Sequence, residues 1–197
     1  MKKKFLEQSS KYVPYILLTG LALLFVITRF WRITTLPSGV HIDEAGMAYD
    51  AWCLSQYGVD RYFKSYPLLL TNFGGGGQSA LCIYTTALLF RLFGFHSFLF
   101  RVTNIFYSLL AVVFGMLILR RIYPDRPYLA IAGGYLMTIL PFFILSARLG
   151  MDCHPILGTS TVFLYCFLCA LQSEKYRYYV LAGITGGIVL YTYSLSY

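Results

Sequence analysis

The chain has 197 residues, of which 58% are hydrophobic and only 12% are charged. Because soluble domains carry about 25% charged residues, this composition excludes an ordinary soluble domain and indicates an integral membrane protein. The net charge of +8 comes from basic residues that cluster between apolar segments. There they act as topology signals and contacts for anionic lipids, so no nucleic-acid partner is expected. Of the five cysteines, Cys166 and Cys169 have CxxC spacing, but both lie inside an apolar segment, and the set predicts neither a zinc site nor a disulfide framework.

The first apolar segment, residues 12–30, is long enough at 1.5 Å per residue to cross about 30 Å of hydrocarbon. Four lysines precede it and no small-residue cleavage site follows it, so we expect an uncleaved anchor with a cytoplasmic N-terminus. Further spans are predicted at 98–119, 128–147, 155–171 and 180–197. Pro141 favours a bend in the span 128–147. The sequence therefore predicts a single all-α membrane domain with about five transmembrane helices.

Residues 31–97 are predicted to form one large external loop that carries two surface helices, 44–57 and 78–93. In the first helix Met47 and Leu54 share an apolar face, Asp50 lies on the opposite side, and Gly58 fits the C-cap position. The second helix would be about 24 Å long, which is marginal for crossing a bilayer. Placing it in the outer interface puts the basic loops after 98–119 and 155–171 in the cytoplasm, as the positive-inside rule requires.

Asp43 and Glu44 are the only adjacent carboxylates in the chain, and they open the first surface helix. Asp43 suits the N-cap position, and plain capping is the structural alternative to a functional role. The predicted topology places this pair on the same outer side as Lys64, Arg101, Arg148, Asp152 and His154. Carboxylates could bind a divalent cation or take a proton, and Arg and Lys could pair with the phosphate of a lipid-linked donor.

Each of these residues also has a structural interpretation. Arg101 and Arg148 are equally consistent with snorkelling at the interfaces, and Asp152 with capping the helix that begins at Pro155. His41, beside Asp43, is a candidate metal ligand. The glycine run 74–77 is typical of a flexible joint, although its N–H groups could also line a phosphate.

The motifs of the external loop resemble a known family. They are Leu36-Pro-Ser-Gly followed by Asp43-Glu44, then Gly58-Val-Asp60, Pro67 and Gly75-Gly-Gly-Gln78-Ser-Ala-Leu. This series resembles the first external loop of the GT-C glycosyltransferases of the dolichyl-phosphate-mannose–protein mannosyltransferase and aminoarabinose transferase type. Leu92-Phe-Gly94, Arg101 and Arg120-Arg121 are similar to the segment after that loop, and Asp152 resembles an acidic residue of the next external loop.

The resemblance implies transfer of a sugar from a polyprenyl-phosphate carrier to an acceptor hydroxyl on the extracytoplasmic side, with inversion. It implies that Asp43 is the catalytic carboxylate, acting as a base or a metal ligand, with Glu44 beside it and Asp152 nearby. Two departures concern the aminoarabinose transferases, which have an Arg where this chain has Ala45-Gly46 and a Glu-Lys where it has Ser65-Tyr66. The later spans and the C-terminal domain of the family are absent from these 197 residues.

Two other functions stay open at this point. Because the chain ends at Tyr197, it could be a truncated, non-catalytic module that binds the lipid carrier or a partner subunit. A transporter is the third hypothesis, but we find no inverted repeat or paired broken helices in its favour. The expected partners of the enzyme are a polyprenyl-phosphate-linked sugar, membrane lipids, an acceptor and a separate chain that carries the missing C-terminal part.

Cysteine accessibility along residues 78–93 tests the predicted topology. In a chain whose native cysteines are replaced, single cysteines on one face of this segment are expected to react along its whole length with an impermeant maleimide added from outside, because an interfacial helix keeps one face in water. Cysteines at 120–126 should react only after permeabilisation. Protection of the middle of 78–93, with its two ends reactive from opposite sides, would show instead that the segment crosses.

Overall fold

Helices make up most of the chain in the computed structural model, which describes residues 2–73, 75–173 and 175–193, with side chains from residue 12 onward. The helices are α1 (Lys2–Phe30), α2 (Ile42–Tyr57), α3 (Ala80–Phe93), α4 (Ser97–Ile122), α5 (Pro127–Ile139), α6 (Pro141–Arg148), α7 (Pro155–Ser173) and α8 (Tyr176–Leu190). Two strands of two residues each, β1 (Leu70–Thr71) and β2 (Gly77–Gln78), pair antiparallel between α2 and α3. The predicted all-α membrane fold is confirmed.

Within the part of the chain that the structure describes, three helical segments are long and apolar enough to cross a membrane: Tyr12–Phe30, Ser97–Ile122 and Pro155–Ser173. The pair α5–α6 makes a fourth if it is taken as one broken span, and its bend of 61° at the break before Pro141 confirms the predicted bend. Helix α8 lies where the fifth span was expected but begins at Tyr176 and ends at Leu190. Residues 194–197 of that predicted span lie outside the described residues.

The break between α5 and α6 is stabilised from α1. Pro141 has no N–H, so carbonyl groups at the end of α5 lose their helical partners. The buried guanidinium of Arg29 donates to the carbonyl oxygens of Thr138 (2.5 Å) and Met137 (3.2 Å). In an apolar environment each unpaired carbonyl would be costly, and this contact therefore fixes α1 against the bend.

Helix α4 is the centre of the bundle. It packs against α5, α6, α7 and the shorter α3, while α7 also contacts α8 and α1 contacts α5 and α6. Helices α4 and α7 approach closely at Gly158, where an added Cβ would overlap the carbonyl oxygen of Tyr107. A small residue at this contact lets the two helix backbones come together, as in other membrane helix pairs.

The predicted surface helices α2 and α3 form a helical pair that rests on the start of α4. A buried cluster that includes Met47, Leu54, Ile83 and Phe90 joins them. Both helices were predicted, with different first residues: α2 begins at Ile42 rather than 44, and α3 begins at Ala80 because residues 77–78 belong to β2. Gly58 is the C-cap of α2 with φ +70°, as expected.

Substitution of Gly158 tests the α4–α7 contact. We expect Gly158→Ala to destabilise the chain by about 1–3 kcal/mol, because the atoms that the new methyl group meets belong to the Tyr107 backbone and cannot rotate away. Gly187→Ala on α8 is the matched control, since no neighbouring atom lies within 4 Å of its added Cβ. Thermal unfolding in detergent measures both, and equal melting temperatures for the two variants would contradict the assigned contact.

Candidate active site

The first turn of α2 presents its two acids in different environments. His41, not Asp43, is the N-cap: its Nδ1 accepts from the backbone N–H of Asp43 (3.3 Å), and Glu44 Oε2 accepts from the backbone N–H of His41 (3.3 Å). The predicted capping role of Asp43 is therefore wrong, because the helix begins at Ile42 and the imidazole takes the cap position. The Asp43 side chain is left 32% exposed, with Oδ2 at 3.4 Å from His41 Nδ1.

Glu44 is buried and bound to Arg101. Arg101 Nε donates to Glu44 Oε1 at 2.8 Å, and its terminal N–H groups donate to the carbonyl oxygens of Ile33 (2.9 Å), Pro37 (3.2 Å) and Gly39 (2.7 Å). Arg101 is only 5% exposed, so it does not snorkel. A buried ion pair is tolerated when its remaining hydrogen-bonding groups also find partners, as they do here.

Arg148, at the end of α6, is likewise buried and bonded to backbone. Its guanidinium donates to the carbonyl oxygens of Thr28 (3.0 Å), Trp31 (2.6 Å) and Leu36 (2.9 Å). Arg148 therefore satisfies carbonyl groups at the end of α1 and in the segment that follows. Together, Arg101 and Arg148 hold residues 31–39 against the bundle.

Lys64, the third predicted phosphate ligand, lies on a tight turn of the loop after α2. Its backbone N–H donates to Asp60 Oδ1 (2.8 Å), which also accepts from the backbone N–H of Tyr62 (2.9 Å). The Lys64 side chain is exposed. Its ammonium group is thus available to solvent, in contrast to the two buried arginines.

Asp152, in the loop between α6 and α7, belongs to the same site as Asp43. Burial raises the pKa of Asp152 and the negative charge of Asp43 raises it further, while hydrogen bonds from backbone groups of Asp152, Cys153 and Ser79 act in the opposite direction. The two carboxylates, more than 100 residues apart in the sequence, therefore lie near enough for their charges to interact.

Tyr193, just after α8, also reaches this site. Burial raises the pKa of its phenol, and the negative charges of Asp152 and Asp43 raise it as well. Sequence reasoning did not single out Tyr193, because it was read as part of an apolar span. The segment after α8 is held against the first turn of α3 by a hydrogen bond from the backbone N–H of Leu81 to the carbonyl oxygen of Tyr191 (3.3 Å).

Asp50 and Asp43 are linked by a series of hydrogen-bonded polar side chains, which the sequence interpretation missed. Asp50 was expected on the outer side of α2, but it is 1% exposed and pairs with Arg61. The reason is that the segment after α2 folds back over this face of the helix. Asp43 and Asp50 are seven residues apart, about two helical turns, and this spacing was the available signal that they share a face.

The predicted divalent metal ion would need several side chains as ligands. Among the described residues, no group of three or more His, Cys, Asp and Glu side chains is placed to hold a metal ion. Glu44 is occupied by Arg101, and the Nδ1 of His41, the other predicted ligand, already accepts from the backbone N–H of Asp43, which leaves the carboxylates of Asp43 and Asp152. Zn²⁺ normally takes three or four protein ligands and does not fit this pair, whereas Mg²⁺ is commonly held by one or two carboxylates, water and substrate phosphate.

A cavity of about 770 Å³ lies on the Glu44 side of α2, a volume typical of ligand pockets. Its walls are the segment 33–40, one face of α2 and the connection between α3 and α4. Most of the lining is apolar, and the larger apolar side chains are Tyr49, Trp52, Phe95, Phe98 and Phe100. Glu44 and Arg101 are the charged residues of the lining, and both are already paired with each other.

The long apolar helices define an integral membrane protein, and several of its charged side chains gather around the first turn of α2. The chain matches the family described as dolichyl-phosphate-mannose-protein mannosyltransferase over residues 78–196, which is more than half of its length. It therefore belongs to this family of membrane glycosyltransferases, as the resemblance of its motifs implies. Comparisons with curated proteins and with solved structures found no match.

The matched segment divides the site residues. Arg101, Arg148 and Asp152 lie inside it, whereas the helix that carries Asp43 and Glu44 precedes it. The catalytic assignment of Asp43 therefore depends on the geometry of the site and on the motif resemblance.

The stability of an Asp152→Asn variant should depend on pH. A carboxyl whose pKa is raised on folding contributes stability at low pH that is lost as the pH rises through its folded-state pKa. The neutral amide avoids this loss, so we expect Asp152→Asn to raise the melting temperature at pH 7. The gain should shrink as the pH is lowered toward the ordinary aspartate value of 3.8. Asp125→Asn, at an exposed position, is the control, and a lower melting temperature for Asp152→Asn at every pH would contradict this expectation.

Proposed function

We propose that this membrane glycosyltransferase moves a sugar from a polyprenyl-phosphate donor to an acceptor hydroxyl, with Asp43 as the catalytic base. The observation that carries the proposal is the accessible Asp43 carboxylate, which lies near enough to Asp152 for the two charges to interact. Membership of the family supports the reaction class. The particular donor, the acceptor and the residue roles are inferences from the site.

The proposed reaction is a single displacement. Asp43 accepts the proton of the acceptor hydroxyl, whose oxygen forms a bond to the anomeric carbon of the sugar. The bond from that carbon to the phosphate oxygen breaks, and its electron pair leaves with the polyprenyl phosphate. Attack from the face opposite the phosphate inverts the configuration at the anomeric carbon.

Asp43 suits the role of base better than Glu44 does. A general base must come within hydrogen-bond reach of the proton that it takes, and Asp43 is open to solvent on one side. The Glu44 carboxylate instead accepts from Arg101 and from the backbone of His41. We propose that Glu44 holds the first turn of α2 in place, so that Asp43 projects from it.

The leaving phosphate needs positive charge nearby. We assign this role to Lys64, because it is exposed, and propose that Arg101 and Arg148 act through the backbone segment that they bind. If a divalent cation takes part, Asp43 and Asp152 would hold it, and it would supply further positive charge to the donor phosphate. The apolar walls of the 770 Å³ cavity would then suit the hydrocarbon part of the carrier.

We also propose that the site faces the extracytoplasmic side. The lysines at the start of α1 favour a cytoplasmic N-terminus, and one crossing then places the end of α1 and the Asp43 turn outside. The basic residues between α4 and α5 fall on the cytoplasmic side in this orientation. The donor sugar would therefore have to be available in the outer leaflet.

An Asp43→Asn variant tests the proposed base. With the purified chain in nanodiscs and synthetic decaprenyl-phosphate-linked hexoses, including mannose, release of decaprenyl phosphate is measured in the presence of a cell-envelope acceptor extract. We expect Asp43→Asn to lower kcat by about 100-fold or more, since general-base catalysis typically contributes 10²–10⁴-fold. Asp125→Asn carries the same chemical change at an exposed position and should leave kcat unchanged. Normal transfer by a folded Asp43→Asn variant would remove the proposed role.

A further inference from the structure

We infer that Asn72 is a positioning residue for Asp43, oriented by a one-way chain of hydrogen bonds that starts at the buried Asp50–Arg61 ion pair. The chain runs through Gln78 to Asn72 and ends on Asp43 Oδ1. The inference rests on the proposed function, because it takes Asp43 as the group whose geometry matters. It assigns a catalytic purpose to the hairpin between α2 and α3.

The first link is a fixed guanidinium. Arg61 Nε donates to both Asp50 oxygens (3.0 and 2.9 Å), its NH2 group donates to Oδ2 (2.5 Å), and its backbone N–H donates to Oδ1 (2.9 Å). Both side chains are almost fully buried. The Phe73 ring covers the guanidinium at 4.1 Å, and Gly46 leaves room beneath it, since a Cβ there would lie 2.9 Å from an Arg61 nitrogen. Arg61 therefore has one orientation.

That orientation sets the direction of every later bond. Arginine has only donors, so the Gln78 amide must turn its Oε1 toward Arg61 (3.3 Å). Its Nε2 then donates to Asn72 Oδ1 (2.9 Å), which also accepts from the backbone N–H of Phe73 (2.7 Å). Asn72 is left with Nδ2 as the group that faces Asp43 Oδ1 (3.1 Å). Amide orientation is ordinarily ambiguous, but here the arginine at one end determines both amides.

The consequence for Asp43 is that one carboxylate oxygen is held and the other is left for the substrate. Oδ1 is bound by Asn72, while Oδ2 lies on the side of His41 and solvent. Because a displacement of about 1 Å in a reacting group can cost on the order of 100-fold in rate, a fixed rotamer of the base is valuable. A purely structural connection between the hairpin and α2 would affect stability but would not require every hydrogen bond to run in the same donor-to-acceptor direction.

A Gln78→Glu variant changes the direction of the chain without touching Asp43. The substitution keeps the acceptor that faces Arg61 but replaces the N–H₂ donor by an oxygen directed at Asn72 Oδ1. Asn72 must then rotate its amide to donate to residue 78, which turns its own oxygen toward Asp43. Gln56→Glu, at an exposed position of α2, is the same chemical change outside the chain of hydrogen bonds. Asn72→Leu is a second variant, which removes the donor to Asp43 directly.

The first measurement needs no substrate. In the full chain labelled with [4-¹³C]aspartate, the Asp43 carboxyl resonance is assigned by its loss in Asp43→Asn. We expect this resonance to move in Gln78→Glu and in Asn72→Leu, and to stay in place in Gln56→Glu, with all three variants retaining cooperative unfolding. In the decaprenyl-phosphate-hexose assay, kcat should fall about 10- to 100-fold while the donor KM stays within about threefold, because the affected interaction is one made in the transition state.

The outcomes separate this inference from the proposed function. An unmoved Asp43 resonance in both Gln78→Glu and Asn72→Leu, or a moved resonance with unchanged kcat, would overturn the positioning role. Normal transfer by Asp43→Asn would instead overturn the proposed function, and the ¹³C result would still report whether the chain of hydrogen bonds orients Asp43. A fall in kcat that merely follows a loss of folded protein, as judged by melting temperature, would also count against positioning.

Discussion

The guanidinium of Arg101 is the constraint on which the site depends. A buried charge must be paired, and this one binds Glu44 together with the carbonyl oxygens of Ile33, Pro37 and Gly39. One side chain of α4 thereby fixes both the first turn of α2 and the segment that leads to it. Removing one partner of such a pair typically costs about 3–5 kcal/mol, because the other charge is left buried and unpaired. The position of Asp43 follows from this pairing, since Asp43 precedes Glu44 on the same turn.

Arg29 and Arg148 are also buried, and their guanidinium groups donate to backbone carbonyl oxygens at other helix ends. Arg29 of α1 binds carbonyls at the end of α5, and Arg148 of α6 binds carbonyls around the end of α1. Helix termini leave backbone groups without partners, and an apolar environment offers no water to satisfy them. These two arginines therefore join the ends of α1, α5 and α6 to one another.

The adjacent acids illustrate what a motif can and cannot predict. Asp43-Glu44 indicated a site, and the resemblance that it carries agrees with the family to which the chain belongs. The motif did not predict that Glu44 would be committed to Arg101, or that His41 would displace Asp43 from the cap. Nor did it indicate Arg61, Asn72 or Gln78, because each contributes through a hydrogen bond whose partner lies elsewhere in the chain.

The composition and the length and spacing of the apolar segments were enough to predict the membrane class, the helical fold and the main helices, and Pro141 predicted the bend. These features are local, because hydrocarbon thickness and backbone hydrogen bonding act on each segment separately. Which charged groups are exposed was decided only by the tertiary structure. Asp50 and Asp43 are two aspartates on the same helix, yet the segment that folds back after Gly58 buries Asp50 and leaves Asp43 accessible. Burial and pairing of a side chain depend on residues far away in the chain, and no spacing within one helix contains that information.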